Sequence, residues 1–182
     1  MSDITTIMNE IDTVLSKLKK EAIAEFTSVL QSGKRIFVSG EGRSGLMAKS
    51  FAMRLMHLGA NVFVVGETIT PALEKGDVLV SVSGSGTTQS VLLVARKARE
   101  LGCPVVAVTT NPESELAGLA TYTLHVPAAT KYRRTGEQAS VQPLGSLFDQ
   151  CTHILFDAVC LHYASLNTVD HDSAFKKHSN LE

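Results

Sequence analysis

The feature that most constrains the fold is a series of short, largely apolar segments, each followed by a turn and usually by a sequence with helical periodicity. Strands buried on both faces of a parallel sheet have continuous apolar sequences, whereas strands with one exposed face alternate apolar and polar residues. We therefore predict an α/β fold in which helices flank a doubly wound open sheet of about five parallel strands, with a flavodoxin-like strand order. The predicted strands are residues 35–39, 61–65, 77–82, 105–108 and 122–126.

Helical patterns surround these segments. Apolar residues recur at helical spacing from Ile4 to Leu30, which predicts one long amphipathic helix ending near Gly33. Residues 127–145 are polar and aperiodic, so we predict a functional or a mobile loop there. The length of 182 residues favours a single domain, residues 1–182, with a long N-terminal helix and a C-terminal helical tail. The other predicted helices are residues 44–58, residues 88–101, a short helix after residues 111–114 and a long apolar helix that includes residues 147–161.

The composition excludes several classes of partner. Lys and Arg number 17 against 18 Asp and Glu, and the net charge of -1 provides no field for attracting nucleic acid or an anionic membrane. No two of the 3 cysteines are spaced as a C-x-x-C pair, so we expect buried free thiols rather than a disulfide framework or a zinc site. No secretory signal and no apolar run of transmembrane length is present. We expect a cytoplasmic protein with no nucleic-acid or membrane partner.

Two glycine-rich and serine-rich turns carry the functional signal, GEGRSG at residues 40–45 and SGSGTT at residues 83–88. Both follow a predicted strand and precede a predicted helix, so both should lie at the carboxyl ends of the strands, where doubly wound sheets bind ligands. The first turn also fits the G-x-G-x-x-G dinucleotide fingerprint, and Glu67 lies near the end of the next strand, where a ribose-binding acid belongs. A dinucleotide enzyme therefore remains an alternative.

The second turn favours a compact phosphate group instead. Hydroxyls and backbone amides at a helix N-terminus suit the several acceptor oxygens of a phosphomonoester. Helix capping alone would require only one such residue. The predicted phosphosugar ligands are Arg43 and Ser44 from the first turn, with Ser83, Ser85, Thr87 and Thr88 from the second.

These turns resemble the sugar isomerase (SIS) domain family, which shares this sheet and binds phosphosugars through a Ser/Thr-rich turn after the third strand. Within it the sequence looks like the 6-phospho-3-hexuloisomerases. The matching blocks are GRSGL at residues 42–46, FAMRLMHLG at 51–59, GET at 66–68, QPLGSLF at 142–148 and NLE at 180–182.

The resemblance implies an isomerase that moves the carbonyl of D-arabino-hex-3-ulose 6-phosphate from C3 to C2. The product is fructose 6-phosphate, in the ribulose monophosphate pathway of formaldehyde fixation. The resemblance implies neither a redox cofactor nor a metal. It also implies a homotetramer whose active sites draw residues from neighbouring subunits, with the first helix and the long apolar helix as assembly surfaces.

Such a reaction needs a base that removes a proton from one carbon and returns it to the next. Asp149 is the first candidate, although the family pattern has Glu there, and Glu in place of Thr87 as well. Glu67 is the second candidate, and His178, in the matching tail, could relay a proton to a substrate oxygen. The alternative interpretations are a solvated helix acid for Asp149, a loop acid for Glu67 and an exposed side chain for His178.

Three further questions stay open at this level. Arg43 could neutralise the substrate or pair with a surface acid, and the basic cluster of Lys131, Arg133 and Arg134 fits either a lid over the phosphosugar or a solvated loop. A non-catalytic phosphosugar sensor would use the same domain.

Overall fold

The computed structural model describes residues 2–181, so Glu182 of the terminal NLE block lies outside the described residues. The sheet has 5 strands in the order β2-β1-β3-β4-β5, and every pairing is parallel. The strand order reverses direction between β1 and β3, which is the switch point of a doubly wound sheet. The predicted fold class is therefore confirmed. The strands are β1 (Ile36–Gly40), β2 (Val62–Val64), β3 (Val78–Val82), β4 (Val105–Thr109) and β5 (Tyr122–His125).

Helices cover both faces of the sheet, as the continuous apolar strands require. On one face Phe26, Phe51 and Phe156 pack together, and the Phe51 and Phe156 rings stack at 4.2 Å between centroids. On the other face Leu92 and Leu116 pack with the strand residues Phe37 and Leu79. The helices are α1 (Asp3–Leu15), α2 (Ala22–Ser32), α3 (Gly42–His57), α4 (Gln89–Glu100), α5 (Glu115–Leu119), α6 (Ser146–Leu166) and α7 (His171–Phe175).

The prediction of one long N-terminal helix is wrong, because the chain forms α1 and α2 with a break at residues 16–21. The apolar period continues across this break and conceals it. Helix α1 packs on α6, whereas α2 contacts α6 and also β5, so the two helices reach different parts of the core. The residues of the break are largely charged, and they carry no apolar side chain except Leu18.

An ion pair ties β1 to β3 at the amino ends of the strands. Arg35 donates two hydrogen bonds to Asp77, at 2.9 Å from Nε and 2.6 Å from Nη2. Burial alone would raise the pKa of Asp77, but the hydrogen bonds from Arg35 and from the backbone of Glu74 lower it below its usual value. This pair stabilises the end of the sheet opposite the two turns.

The three cysteines are free and buried, as predicted. Burial raises the pKa of the Cys151 and Cys160 thiols to about 12. Both thiols therefore stay protonated at neutral pH. In the part of the chain that the structure describes, no helix combines the length and apolar character needed to cross a membrane.

Candidate functional site

The first turn, residues 40–45, contains the end of β1 and the first residues of α3 at the carboxyl edge of the sheet. A Cβ added to Gly45 would lie 2.6 Å from the carbonyl oxygen of Gly40, so this helix can approach its strand only with glycine there. Gly42 has a φ of 56°, in the left-handed region that glycine adopts readily. Close helix-strand packing thus accounts for the G-x-G-x-x-G pattern without a dinucleotide.

The second turn, residues 83–88, connects β3 to α4 beside the first. Gly86 has a φ of 67°, and an added Cβ would collide with the side chain of Ser114. The hydroxyl of Ser85 accepts hydrogen bonds from the backbone N–H of Thr87 at 3.2 Å and from its hydroxyl at 3.1 Å. Thr88 is the N-cap of α4, but its side chain makes no capping hydrogen bond. Capping of α4 by its N-cap side chain therefore does not account for the hydroxyls of this turn.

A cavity of about 370 Å³ lies between the second turn, the loop of residues 127–145 and the start of α6. Hydroxyls and backbone of the turn form one wall, and the loop and the first turn of α6 form the others. Its lining residues are Ser44, Gly84, Ser85, Thr87, Thr88, Thr130, Lys131, Tyr132, Leu144, Gly145, Phe148 and Asp149.

Asp149 is a buried carboxylate in the wall of this cavity. It lies in the first turn of α6 and is 5% exposed. The Ser44 hydroxyl donates a hydrogen bond to Oδ1 at 2.9 Å, and Arg43 Nε lies 3.3 Å from Oδ2. Burial raises the pKa of Asp149, although the Ser44 hydrogen bond and the Arg43 charge oppose that rise. The interpretation of Asp149 as a solvated acid does not fit this burial.

The predicted phosphate ligands divide into two groups. Ser44, Ser85, Thr87 and Thr88 line the cavity. Ser83, the first residue of the turn, is 3% exposed and does not line the cavity. Its hydroxyl lies 2.8 Å from the Thr88 hydroxyl and accepts a hydrogen bond from the backbone N–H of Gly86. Its contacts support the turn from behind.

Arg43 also lies outside the cavity wall. Its side chain is 57% exposed, it pairs with Asp149, and Nη1 donates to the Ser146 hydroxyl at 3.4 Å. Arg43 therefore braces the start of α6 and faces solvent on its other side.

Neither Glu67 nor His178 lines this cavity in the described chain. Glu67 is exposed and borders a separate depression beside β2 and α3, with Met53 and Ile69. The His178 ring stacks on His57, the last residue of α3, at 5.3 Å between centroids.

The loop of residues 127–145 is held by two carboxylates that sequence reasoning missed. Glu137 accepts hydrogen bonds within the loop, and Glu10 of α1 accepts from Ser140, from the backbone of Val141 and from Gln142. The polar composition of the segment gave no signal for these partners. Among residues 2–181, no three His, Cys, Asp or Glu side chains are grouped so that they could hold a metal ion.

Comparison with known proteins gives consistent matches. Residues 29–153 match the profile of the SIS domain family. The chain is 40% identical to 3-hexulose-6-phosphate isomerase of Bacillus subtilis over 98% of this chain and 97% of the relative. It is 39% identical to the enzyme of the same name from Mycobacterium gastri, over 100% of this chain and 90% of that one. A Methanococcus jannaschii protein, whose crystal structure was described as inferring the function of 3-hexulose-6-phosphate isomerase, superposes with a TM-score of 0.86 at 30% identity and full coverage of both chains.

Proposed function

Because this chain belongs to the SIS domain family, we propose that it is a 3-hexulose-6-phosphate isomerase, the activity also called 6-phospho-3-hexuloisomerase. It interconverts D-arabino-hex-3-ulose 6-phosphate and fructose 6-phosphate. The observation that carries the proposal is the cavity in which a hydroxyl-rich turn faces a buried carboxylate, Asp149.

The phosphate of the substrate binds at the second turn. Ser85, Thr87 and Thr88 offer hydroxyls, and the N-terminus of the 12-residue helix α4 adds its partial positive charge. Ser44 lines the same cavity from the neighbouring turn. Binding of this non-reacting group determines which carbon of the sugar faces Asp149, so its binding energy is used for orientation.

Asp149 then transfers a proton between adjacent carbons. The carboxylate removes the C2 proton of the 3-ketose, the electron pair forms a C2–C3 double bond, and the C3 carbonyl oxygen takes the negative charge. The C2 hydroxyl proton passes to the C3 oxygen, a carbonyl forms at C2, and Asp149 returns its proton to C3. No net redox change occurs.

The environment of Asp149 suits this role. Because burial raises its pKa, the ionised carboxylate is a stronger base than an ordinary Asp. The Ser44 hydroxyl and Arg43 favour the ionised form, which a general base requires. One methylene fewer than the Glu of the family pattern is compatible with base function, since the carboxylate lines the cavity.

We further propose a homotetramer in which His178 serves the cavity of a neighbouring subunit. Ser44 and His57 lie near opposite ends of α3, about 20 Å apart along the helix axis at 1.5 Å per residue. His178 packs on His57 and therefore cannot reach the cavity of its own subunit in this arrangement. Ile4 at 74%, Met8 at 56% and Leu161 at 76% exposure provide apolar surface on the two predicted assembly helices.

Glu67 stays a second candidate for an acid contributed across the same interface, since the depression it borders is apolar and open. The proposed location is the cytoplasm, as the sequence predicts, and the proposed place in formaldehyde fixation comes from the family resemblance.

The test is hydrogen exchange in heavy water. The protein is incubated with fructose 6-phosphate and no added nucleotide, and the C3 hydrogen is followed by proton NMR. Loss of that signal, together with appearance of the 3-ketose, supports the isomerase. Binding without exchange would indicate a phosphosugar sensor, and reduction of added NAD(P) in place of exchange would indicate an oxidoreductase.

A further inference from the structure

The carboxylate of Glu137 is the hydrogen-bonding centre of the loop of residues 127–145, yet it takes no part in the proton transfer. It accepts from the backbone N–H of Thr130 at 2.8 Å and from the Thr130 hydroxyl at 2.7 Å. The Thr110 hydroxyl donates at 3.0 Å, and the backbone N–H of Arg134 donates at 3.2 Å. Hydrogen bonds to an ionised carboxylate are among the stronger ones in proteins. Residues 130–134 are thus wrapped around one side chain.

Thr110 and Arg134 connect this carboxylate to the second turn. Thr110 directly follows β4, is buried, and its hydroxyl also lies 2.9 Å from the Gly84 carbonyl oxygen. A hydroxyl has one hydrogen, so Glu137 and Gly84 share it as acceptors. Arg134 Nη1 donates to the Ser85 carbonyl oxygen at 3.2 Å. Glu137 therefore fixes the loop against the turn proposed to bind phosphate.

The loop presents Lys131 to the cavity between these anchors. Among the described residues that line the cavity, Lys131 is the only one with a positively charged side chain. Its Nζ lies 5.1 Å from the centre of the Tyr132 ring, which also lines the cavity. A phosphomonoester carries close to two negative charges at neutral pH. The hydroxyls of the second turn supply no positive charge to balance them.

We propose that Glu137 is a positioning residue that places Lys131 against the phosphate of the bound sugar. This inference rests on the proposed function, because it requires a phosphate in the cavity. Glu137 does not line the cavity, and its carboxylate accepts hydrogen bonds from Thr110, Thr130 and the backbone of Arg134, so its effect on an anion in the cavity is exerted through the loop conformation. A loop fixed before binding loses less conformational entropy when the ligand binds.

The test is a double-mutant cycle on ligand binding in the full chain. Dissociation constants for fructose 6-phosphate and for inorganic phosphate are measured calorimetrically for wild type, Glu137→Gln, Lys131→Gln and the double variant. Each single variant should weaken binding about tenfold, because Lys131→Gln removes the charged contact with the phosphate and Glu137→Gln removes the loop anchor that positions it. The double variant should be no more than about twofold weaker than Lys131→Gln, because both changes remove the same contact.

A matched control is Glu113→Gln, which makes the same charge change at an exposed position. It should bind as wild type does. Thr110→Val provides a second route, since it removes one donor to Glu137 and keeps the side-chain shape, and it should weaken binding less than Glu137→Gln. Melting temperatures accompany every variant, so that a loss of folded protein is separated from a loss of affinity.

Additive losses in the double variant would overturn the inference, as would unchanged binding in folded Glu137→Gln. A wild-type protein that binds fructose 6-phosphate but does not exchange its C3 hydrogen would refute the proposed activity. The binding cycle would still support the role of Glu137, since it does not depend on turnover.

Discussion

Asp149→Asn separates the chemical role of the buried carboxylate from its structural role. Asparagine has nearly the same shape, and its side-chain oxygen can still accept the Ser44 hydrogen bond that measures 2.9 Å in the wild type. The amide cannot accept a carbon-bound proton. General-base catalysis is worth about 10²–10⁴-fold in rate, so kcat should fall by that factor, which is about 2.7–5.5 kcal/mol of transition-state stabilisation. The Kd for fructose 6-phosphate should change little.

The same variant should lower kcat without lowering stability. Burial raises the pKa of Asp149 in the folded state, so the folded protein binds this proton more tightly than the unfolded chain does. Stability from this group is therefore lost as pH rises from about 4 through the folded pKa, and the neutral Asn escapes that loss. The melting temperature of Asp149→Asn should match wild type near pH 4 and be at least as high near pH 7.

The assays are hydrogen exchange at C3 of fructose 6-phosphate and thermal unfolding followed by circular dichroism. Asp157→Asn is the matched control, because Asp157 lies on the same helix with 61% of its side chain exposed. It should leave both quantities unchanged. A kcat for Asp149→Asn within about threefold of wild type would assign the base to Glu67 or His178, because so small a loss is below the range of general-base catalysis.

Three further predictions concern the scaffold. Gly42→Ala should lower the free energy of unfolding, measured with urea, by about 1–2 kcal/mol because of its positive φ alone. Gly86→Ala should lower it by about 1–3 kcal/mol more, because the new Cβ collides with the Ser114 side chain. Equal losses for the two variants would contradict this clash. Asp77→Asn should lower the melting temperature near pH 7. The pKa of Asp77 is lowered in the folded state, so its ionised carboxylate stabilises the fold, and the difference from wild type should shrink below about pH 4. A difference that does not depend on pH would refute this reasoning. Iodoacetamide near pH 8 should leave Cys151 and Cys160 unlabelled in the native protein, given thiol pKa values of about 12, and mass spectrometry should find labelling only at the rate of unfolding.

The sheet and the second turn could be predicted from the sequence because both depend on local patterns. Continuous apolar strands require cover on both faces, and that requirement alone implies parallel pairing with crossover helices. The position of Asp149 beside Ser44 could not be predicted in this way, since they are 105 positions apart in the sequence and no local pattern encodes their contact. The resemblance named the residue, and the structure shows its burial.

The break between α1 and α2 was missed for a different reason. Ile7 and Leu15 keep one helical phase with Phe26 and Leu30, so periodicity cannot distinguish one helix from two with a short link. The loop of residues 127–145 was equally hidden. Its conformation depends on Glu10 and Glu137, whose partners lie partly on other elements, and a polar sequence reads the same whether its hydrogen bonds are made to water or to protein.

The contact between Ser44 and Asp149 also determines when the site can exist during folding. The two residues are 105 positions apart, so the loop between them must close before the carboxylate meets its hydroxyl partner. A chain emerging from the ribosome contains both glycine-rich turns well before α6 is synthesised, so the proposed base Asp149 is added after the residues that are proposed to bind phosphate. In refolding experiments, the helical circular dichroism signal should recover before the activity that exchanges the C3 hydrogen of fructose 6-phosphate, because local contacts form faster than distant ones. Regained activity therefore requires α6 to have docked onto the sheet, and in the proposed homotetramer it also requires assembly, so it reports a later stage of folding than secondary structure does.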